Sequence, residues 1–267
     1  MKGGGKEGTE LDRIEELPGI DPSRAHAARI YDYYLGGENN FEADRMACLE
    51  LDKIVPGARG MAINNRRYLV RVVRTLASEY GIRQFIDIGS GLPTQDSVHQ
   101  VAKQSRPDTR IVYIDNDPIV AVHARALLPA DGSTAFILED ASKTDAILNH
   151  PDTRRLINFA EPAAVLCMSF LHFIPDRDDP AGLLRRIMDS LAPGSFLAIS
   201  HVIAADPQLR AQLTDLMLRV TEVISGACDP GPKPGSSSAG WKSSRLAWSR
   251  SPPGGPMPRP PWSKRST

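Results

Sequence analysis

Four short segments bring acids, small residues and a histidine together at spacings suited to holding a nucleotide-like ligand. The first is Asp87-Ile88-Gly89-Ser90-Gly91-Leu92-Pro93-Thr94. A turn leaving the carboxyl end of a strand uses one glycine to reverse with positive φ and another to let a ligand approach the backbone. The helix beyond offers its first amides to the same ligand. A dinucleotide turn would carry a third glycine where Thr94 stands, and no Gly-Lys-Ser/Thr follows, so neither the pyrophosphate turn nor the phosphate loop is present. An acid at 87 would repel a pyrophosphate and suits an ammonium group. The second segment, Val112-Tyr113-Ile114-Asp115-Asn116-Asp117-Pro118, ends in an acid that can accept both hydroxyls of a ribose. Asn116 lies beside it. Either aspartate could instead cap the helix that starts at Pro118; Asp117 suits the cap and Asp115 the ligand. The third, Ile137-Leu138-Glu139-Asp140-Ala141, offers Asp140 to a purine amino group and the backbone at Ala141 to its ring, with a loop-capping aspartate as the competing reading. The fourth, Val165 to Phe173, delivers Ser169 and His172 to the same rim. His172 is the candidate proton acceptor, against a structural hydrogen bond at a strand end.

These residues need elements that place them side by side. The runs Gln84–Ile88, Arg110–Ile114, Ala135–Leu138, Ala163–Phe170 and Ser195–Ser200 are short and apolar or β-branched. Helical segments over Gln95–Gln104, Pro118–Leu128, Thr144–Leu156 and Pro180–Leu191 alternate with them. Strand-helix alternation predicts an α/β fold, a doubly wound, mostly parallel Rossmann-like sheet with helices on both faces. Three helices precede it, over Ala25–Leu35, Glu42–Ile54 and Ala62–Tyr80, and a last one covers Pro207–Ile224. The predicted organisation is a flexible arm at 1–20, an N-terminal helical extension or lid at 21–81, a Rossmann-like ligand-binding domain at 82–227 and a disordered tail at 228–267. His99 reads as a packing or surface residue of its helix.

The order Asp-Ile-Gly-Ser-Gly, Tyr-Ile-Asp-Asn-Asp-Pro, Glu-Asp-Ala and Ser-Phe-Leu-His-Phe resembles class I S-adenosylmethionine-dependent methyltransferases. More narrowly, the chain is similar to the actinobacterial S-adenosyl methyltransferase family once catalogued as a domain of unknown function. That narrower resemblance rests on Ala28 to Phe41, on Ala62-Ile63-Asn64-Asn65-Arg66-Arg67-Tyr68-Leu69, and on Gly89 to Thr94 with Val98-His99; it covers about residues 21 to 225. It implies S-adenosyl-L-methionine as cofactor, with contacts at Asp87, Gly89, Gly91, Asp115 and Asp140, and Ser90, Asn116, Ala141 and Ser169 complete the expected cofactor set. Tyr31 and Tyr34 are expected as lid groups above the sulfonium, since an aromatic face tolerates a cation. Gly37 and Asn40 belong to a glycine-rich segment expected to fold over the cofactor. Asn65 and Arg66 would support the lid or bind an anionic acceptor, with a solvated helix face as the competing reading. Such folds usually finish with an antiparallel strand pair, which this sequence lacks.

Composition narrows the function further. The chain has 267 residues, with 32 basic and 32 acidic side chains. The neutral total argues against a dedicated nucleic-acid binder. From Cys228 onward there are seven Lys or Arg and one acid, so the remainder is acidic by six. That end holds all three tryptophans and nine of the 22 prolines, which fits either a basic tail or a reading frame that slips near residue 227. Three scattered cysteines form no metal-ligand or disulfide pattern, and no metal site is expected. No secretory signal or membrane span is evident, so a cytoplasmic protein acting on a small molecule is expected. The competing readings are a protein that holds S-adenosylmethionine without catalysis and a nicotinamide-dependent oxidoreductase, the latter disfavoured by the missing third glycine.

Overall fold

The computed structural model describes residues 21–93, 96–174, 176–221 and 240–243. Three helices come first: α1 (Ala27–Leu35), α2 (Glu42–Ile54) and α3 (Ala58–Ser78). β1 (Gln84–Ile88), α4 (Val98–Ser105), β2 (Arg110–Asp115), α5 (Pro118–Leu127) and β3 (Thr134–Leu138) follow. Next come α6 (Thr144–Asn149), α7 (Pro151–Leu156), β4 (Ala164–Met168), α8 (Pro180–Ser190), β5 (Phe196–Ile203), α9 (Pro207–Thr221) and β6 (Gly240–Ser243). The sheet order is β3-β2-β1-β4-β5-β6, with β1 to β5 parallel and β6 antiparallel to β5. The chain therefore runs outward from β1 to β3, then returns to the other side of β1, and the reversal opens a crevice at the strands' carboxyl ends.

Alternation along the central strands separates two cores. Ile86, Ile88, Val112, Ile114, Val165 and Cys167 face Ile147, Leu156, Leu183 and Ile187 of α6 to α8. Phe85, Ile111, Tyr113, Ala164 and Leu166 face Leu69, Val73 and Leu76 of α3 and Val98 and Val101 of α4. β1 is buried at all five positions, as a strand covered by helices on both faces must be. A third core joins Ile30 and Tyr34 of α1, Cys48 of α2, Ala62 of α3 and Leu213 of α9. The N-terminal helices are thereby fixed above the crevice.

The structure departs from the predicted elements at several places, four of which have a readable cause. The helix expected over Thr144–Leu156 is two, because Pro151 has no N–H to donate and forces His150 out of the helical region, to φ −58 and ψ 137. The fourth strand ends at Met168 rather than Phe170, because Ser169 adopts φ 56 and turns the chain. α3 begins at Ala58, directly after Gly57 at φ 97, not at Ala62. The sequence lacks a strand pattern after α9, yet residues 240–243 pair antiparallel with Ser200–Ile203. Strand pairing is made through backbone groups, which a side-chain pattern need not announce. The expected arm at 1–20 and the rest of the expected tail lie outside the described residues.

Candidate active site

A cavity of about 580 Å³ occupies the crevice, within the roughly 300–1,000 Å³ common for small-molecule sites. The strand ends of β1, β2 and β3 supply one half of its lining: Asp87, Gly89, Ser90, Gly91, Asp115, Asn116, Asp140 and Ala141. Gly89 has φ 68, and a Cβ there would fall 2.2 Å from the Phe170 ring. Gly91 has φ 64 with open space where a Cβ would point, so its backbone is free for a ligand to approach. Asp115 is buried, and its two oxygens accept N–H bonds from Gly91 at 2.8 Å and Asp117 at 3.0 Å, which locks the β1 turn to the end of β2. Asp117 caps α5 by accepting from Ile119 N–H at 2.9 Å. Its other oxygen lies 2.8 Å from His26 Nδ1, and His26 also lines the cavity. At Asp140 one carboxylate oxygen accepts from Ser142 N–H at 2.8 Å, an Asx turn that leaves the other oxygen unbonded.

Burial dominates the electrostatics. It pushes the Asp87 carboxyl up to about 7; Arg66 offsets part of that rise and Asp115 adds to it. No hydrogen bond reaches the Asp87 carboxyl from the described residues. Asp115 is likewise raised by burial, partly offset by its backbone donors. Burial also pushes Asp117 up, but His26 and the Ile119 N–H outweigh it and hold that carboxyl below its usual range.

The other half of the cavity is built by α1 to α3, α9, the end of β5 and the segment after β4. The Tyr31 hydroxyl donates to the Ala62 carbonyl at 3.1 Å and accepts from Asn65 Nδ2 at 3.0 Å. Asn65 Oδ1 accepts from Ser200 Oγ at 2.6 Å, and Ser200 Oγ accepts the Ser169 N–H at 2.9 Å. A continuous chain of hydrogen bonds thus runs from α1 through α3 and β5 to the turn after β4. The Tyr34 hydroxyl points away, to the Cys48 carbonyl at 3.2 Å and Asp52 at 3.1 Å. His172 packs against Phe173, with ring centroids 4.3 Å apart, and edge-on to His201 at 5.5 Å. Its Nδ1 is enclosed without a hydrogen-bond partner among the described residues, and burial followed by the neighbouring His201 lowers its pKa to about 3.

The model of a family described as S-adenosyl methyltransferase matches residues 14–224. The chain belongs to that family. A crystal structure of a candidate methyltransferase from Thermobifida fusca is 42% identical, superposes with a TM-score of 0.73 and covers 80% of each chain. A DUF574 family protein from Streptomyces avermitilis is 36% identical, with a TM-score of 0.71 over 75% of this chain and 79% of that one. No curated protein matches. The cofactor of this family member is S-adenosyl-L-methionine, and the residues present fit such a group. A buried carboxyl without a hydrogen bond, beside a glycine turn with open space, is a place for a cation with a backbone-hugging tail.

All nine residues expected to hold the cofactor line one cavity, together with Tyr31, Tyr34, Asn65, Arg66 and His172. Gly37 and Asn40 are not part of its lining. Their segment instead wraps the Asp32 carboxylate, which accepts from Asn39 N–H and Asn40 Nδ2, each at 2.9 Å. A Cβ at Gly37 would fall 2.1 Å from that carboxylate, so this glycine is required by packing. His99 is a packing residue: buried, with its N–H and Nδ1 2.9 and 2.8 Å from the Tyr113 hydroxyl. Thr94 lies outside the described residues. Sequence reasoning passed over His26, Ser200 and the aliphatic wall from α2 and α9. His26, one residue before an amphipathic helix, had a detectable capping position; the partners of Ser200 lie 31 and 135 positions away and left no local mark. Among the described residues no metal-binding cluster occurs, and no helix is long and apolar enough to cross a membrane.

Proposed function

We propose that this chain catalyses methyl transfer from S-adenosylmethionine to a small-molecule acceptor. The observation that carries the reading is Asp87, a buried carboxyl with no hydrogen bond from the described residues, set in the cavity beside the Gly89-Ser90-Gly91 turn. The cofactor supplies an electrophilic methyl on a positively charged sulfur, which passes in line to an acceptor lone pair. In this reading Asp87 takes the ammonium and the backbone of Gly89, Ser90 and Gly91 meets the amino-acid tail. Asp115 accepts the ribose hydroxyls through lone pairs left after its two backbone bonds, with Asn116 alongside. Asp140 and Ala141 take the adenine, and Ser169 borders the methyl. Tyr31, Tyr34, Asn65 and Arg66 close the site from the helical cover at 21–81, over a cofactor domain at 82–227. Because the leaving group is already good, the protein's work is alignment and exclusion of water.

His172 faces the acceptor half, and we assign it as a hydrogen-bond donor rather than a strong base. An enclosed N–H without a partner is costlier than an under-used acceptor, so the ring proton belongs on Nε2. Calorimetry with S-adenosylmethionine, followed by labelled-methyl incorporation from a metabolite extract, tests the function. We expect one-to-one binding that Asp87→Ala removes, and label transfer that His172→Ala reduces. Absence of heat with the intact chain sinks the reading; binding without transfer from any fraction supports a protein that holds the cofactor without catalysis.

A further inference from the structure

Resting on the function just proposed, we propose that the methyl acceptor is an uncharged, predominantly apolar small molecule whose single hydrogen-bond-accepting group meets His172. The half of the cavity away from the acid-bearing strand ends carries aliphatic side chains from four separate elements. Leu51 and Val55 come from α2 and the residue after it, Met61 from α3, Val202 from β5 and Leu213 from α9. The polar groups in this half are already engaged with the protein. Tyr34 gives its hydroxyl to Cys48 and Asp52, Tyr31 gives its own to the Ala62 carbonyl and accepts from Asn65 Nδ2, and Asn65 Oδ1 accepts from Ser200. Each tyrosine can therefore offer a ring face but no free hydroxyl. Arg177 and Asp178 also line the cavity but are exposed, with side chains 63% and 42% accessible, which places them at its mouth. Arg66 borders Asp87 and bears on that carboxyl. Apart from Arg66 and from His26, which is paired with Asp117, the helical side of the cavity presents aliphatic groups, so a charged acceptor seated against them would lose its hydration with little compensation, a heavy penalty in an apolar enclosure. An apolar one would gain by leaving water. What remains for recognition is the His172 ring, which lines the cavity with its Nδ1 enclosed and with no hydrogen bond at its other nitrogen among the described residues.

The test uses the full chain saturated with S-adenosylhomocysteine and three probes of one shape: 2-naphthol, 2-naphthoate and 2-naphthylmethylammonium. We expect 2-naphthol to bind at least tenfold more tightly than either ion. Met61→Glu should weaken it by tenfold or more while changing S-adenosylhomocysteine affinity less than twofold. Leu51→Glu, from a different helix of the lining, serves as the second variant should Met61→Glu fail to melt cooperatively. Naphthoate or the ammonium binding as tightly as naphthol, none of the three binding, or both wall variants leaving naphthol unaffected would overturn the inference. Failure of S-adenosylhomocysteine itself to bind would instead remove the cofactor reading beneath it.

Discussion

Asp87 carries an unusual burden for a carboxyl group. It is 5% exposed, raised by burial to about 7, and flanked by a second acid in Asp115. Its pKa in the folded chain exceeds the unfolded value near 4, so its contribution to stability is complete below that value and is lost as pH rises through about 7. Ionising it in the empty protein costs at most about 4 kcal/mol, at roughly 1.4 kcal/mol for each tenfold change in proton affinity. Asp87→Asn should therefore melt several degrees higher than the parent at pH 8 in the absence of ligand, and no higher at pH 5, as differential scanning fluorimetry can follow. A bound ammonium needs the ionised form, so affinity for S-adenosylmethionine should climb about tenfold per pH unit below pH 7 and level off above 8. Calorimetry in buffers of different ionisation enthalpy should detect the proton released. A pH-independent affinity would remove Asp87 from the ammonium role.

At the level of elements, the β1 turn and the β4 turn lean on each other. Gly89 and Gly91 both have positive φ, but only Gly89 has a neighbour, the Phe170 ring, where a Cβ would go. The left-handed conformation alone costs a non-glycine residue roughly 1–2 kcal/mol. Gly91→Ala should stay near that cost while weakening cofactor binding, because the methyl group projects into ligand space. Gly89→Ala adds a collision and should lower the melting temperature clearly further. Equal losses in the two variants would contradict this division. Across the site, Ser200 joins α3 to the turn after β4. Ser200→Ala strands the Asn65 carbonyl oxygen, at about 1–3 kcal/mol for a buried unsatisfied group, and loosens Tyr31 and Ser169 together. Steady-state kinetics should register a raised KM for the acceptor with little change in cofactor affinity; an unchanged acceptor KM would make Ser200 purely structural.

At the level of the whole molecule, β5 is shielded on its outer edge by residues 240–243. Removing residues 228–267 leaves that edge open, and unpaired strand edges recruit other chains. The shortened protein should self-associate with rising concentration, as light scattering would detect, yet keep its cofactor affinity within about twofold, because β1 to β3 lie on the far side of the sheet. A monomeric truncated chain would show the edge to be protected by other means. The acid-bearing rim of the cavity was legible in the sequence because Asp87, Asp115 and Asp140 lie at or just beyond the ends of short apolar runs and can be read off one after another. The acceptor half was not. Its wall draws on Leu51, Met61, Val202 and Leu213, brought together only by folding, and each of those residues alone reads as ordinary core. The glycine-rich segment before Phe41 misled because a nest around the Asp32 carboxylate and a flap over a ligand share the same composition. The break at Pro151 was written in the chain, and periodicity across it masked the stop.

The bond from Ser200 to Asn65 spans 135 positions and ties a helix made early to a strand made late. During synthesis the three acid-bearing strand ends are all in existence once residue 140 has emerged. β1 then still lacks β4 on one side, and Asn65, already bonded to Tyr31, still lacks its Ser200 partner. The lining from α2 and α3 is also present by then, and only the part from β5 and α9 remains to be added. The acid-bearing strand ends thus exist before the hydrogen bond from β5 that braces the opposite side of the cavity.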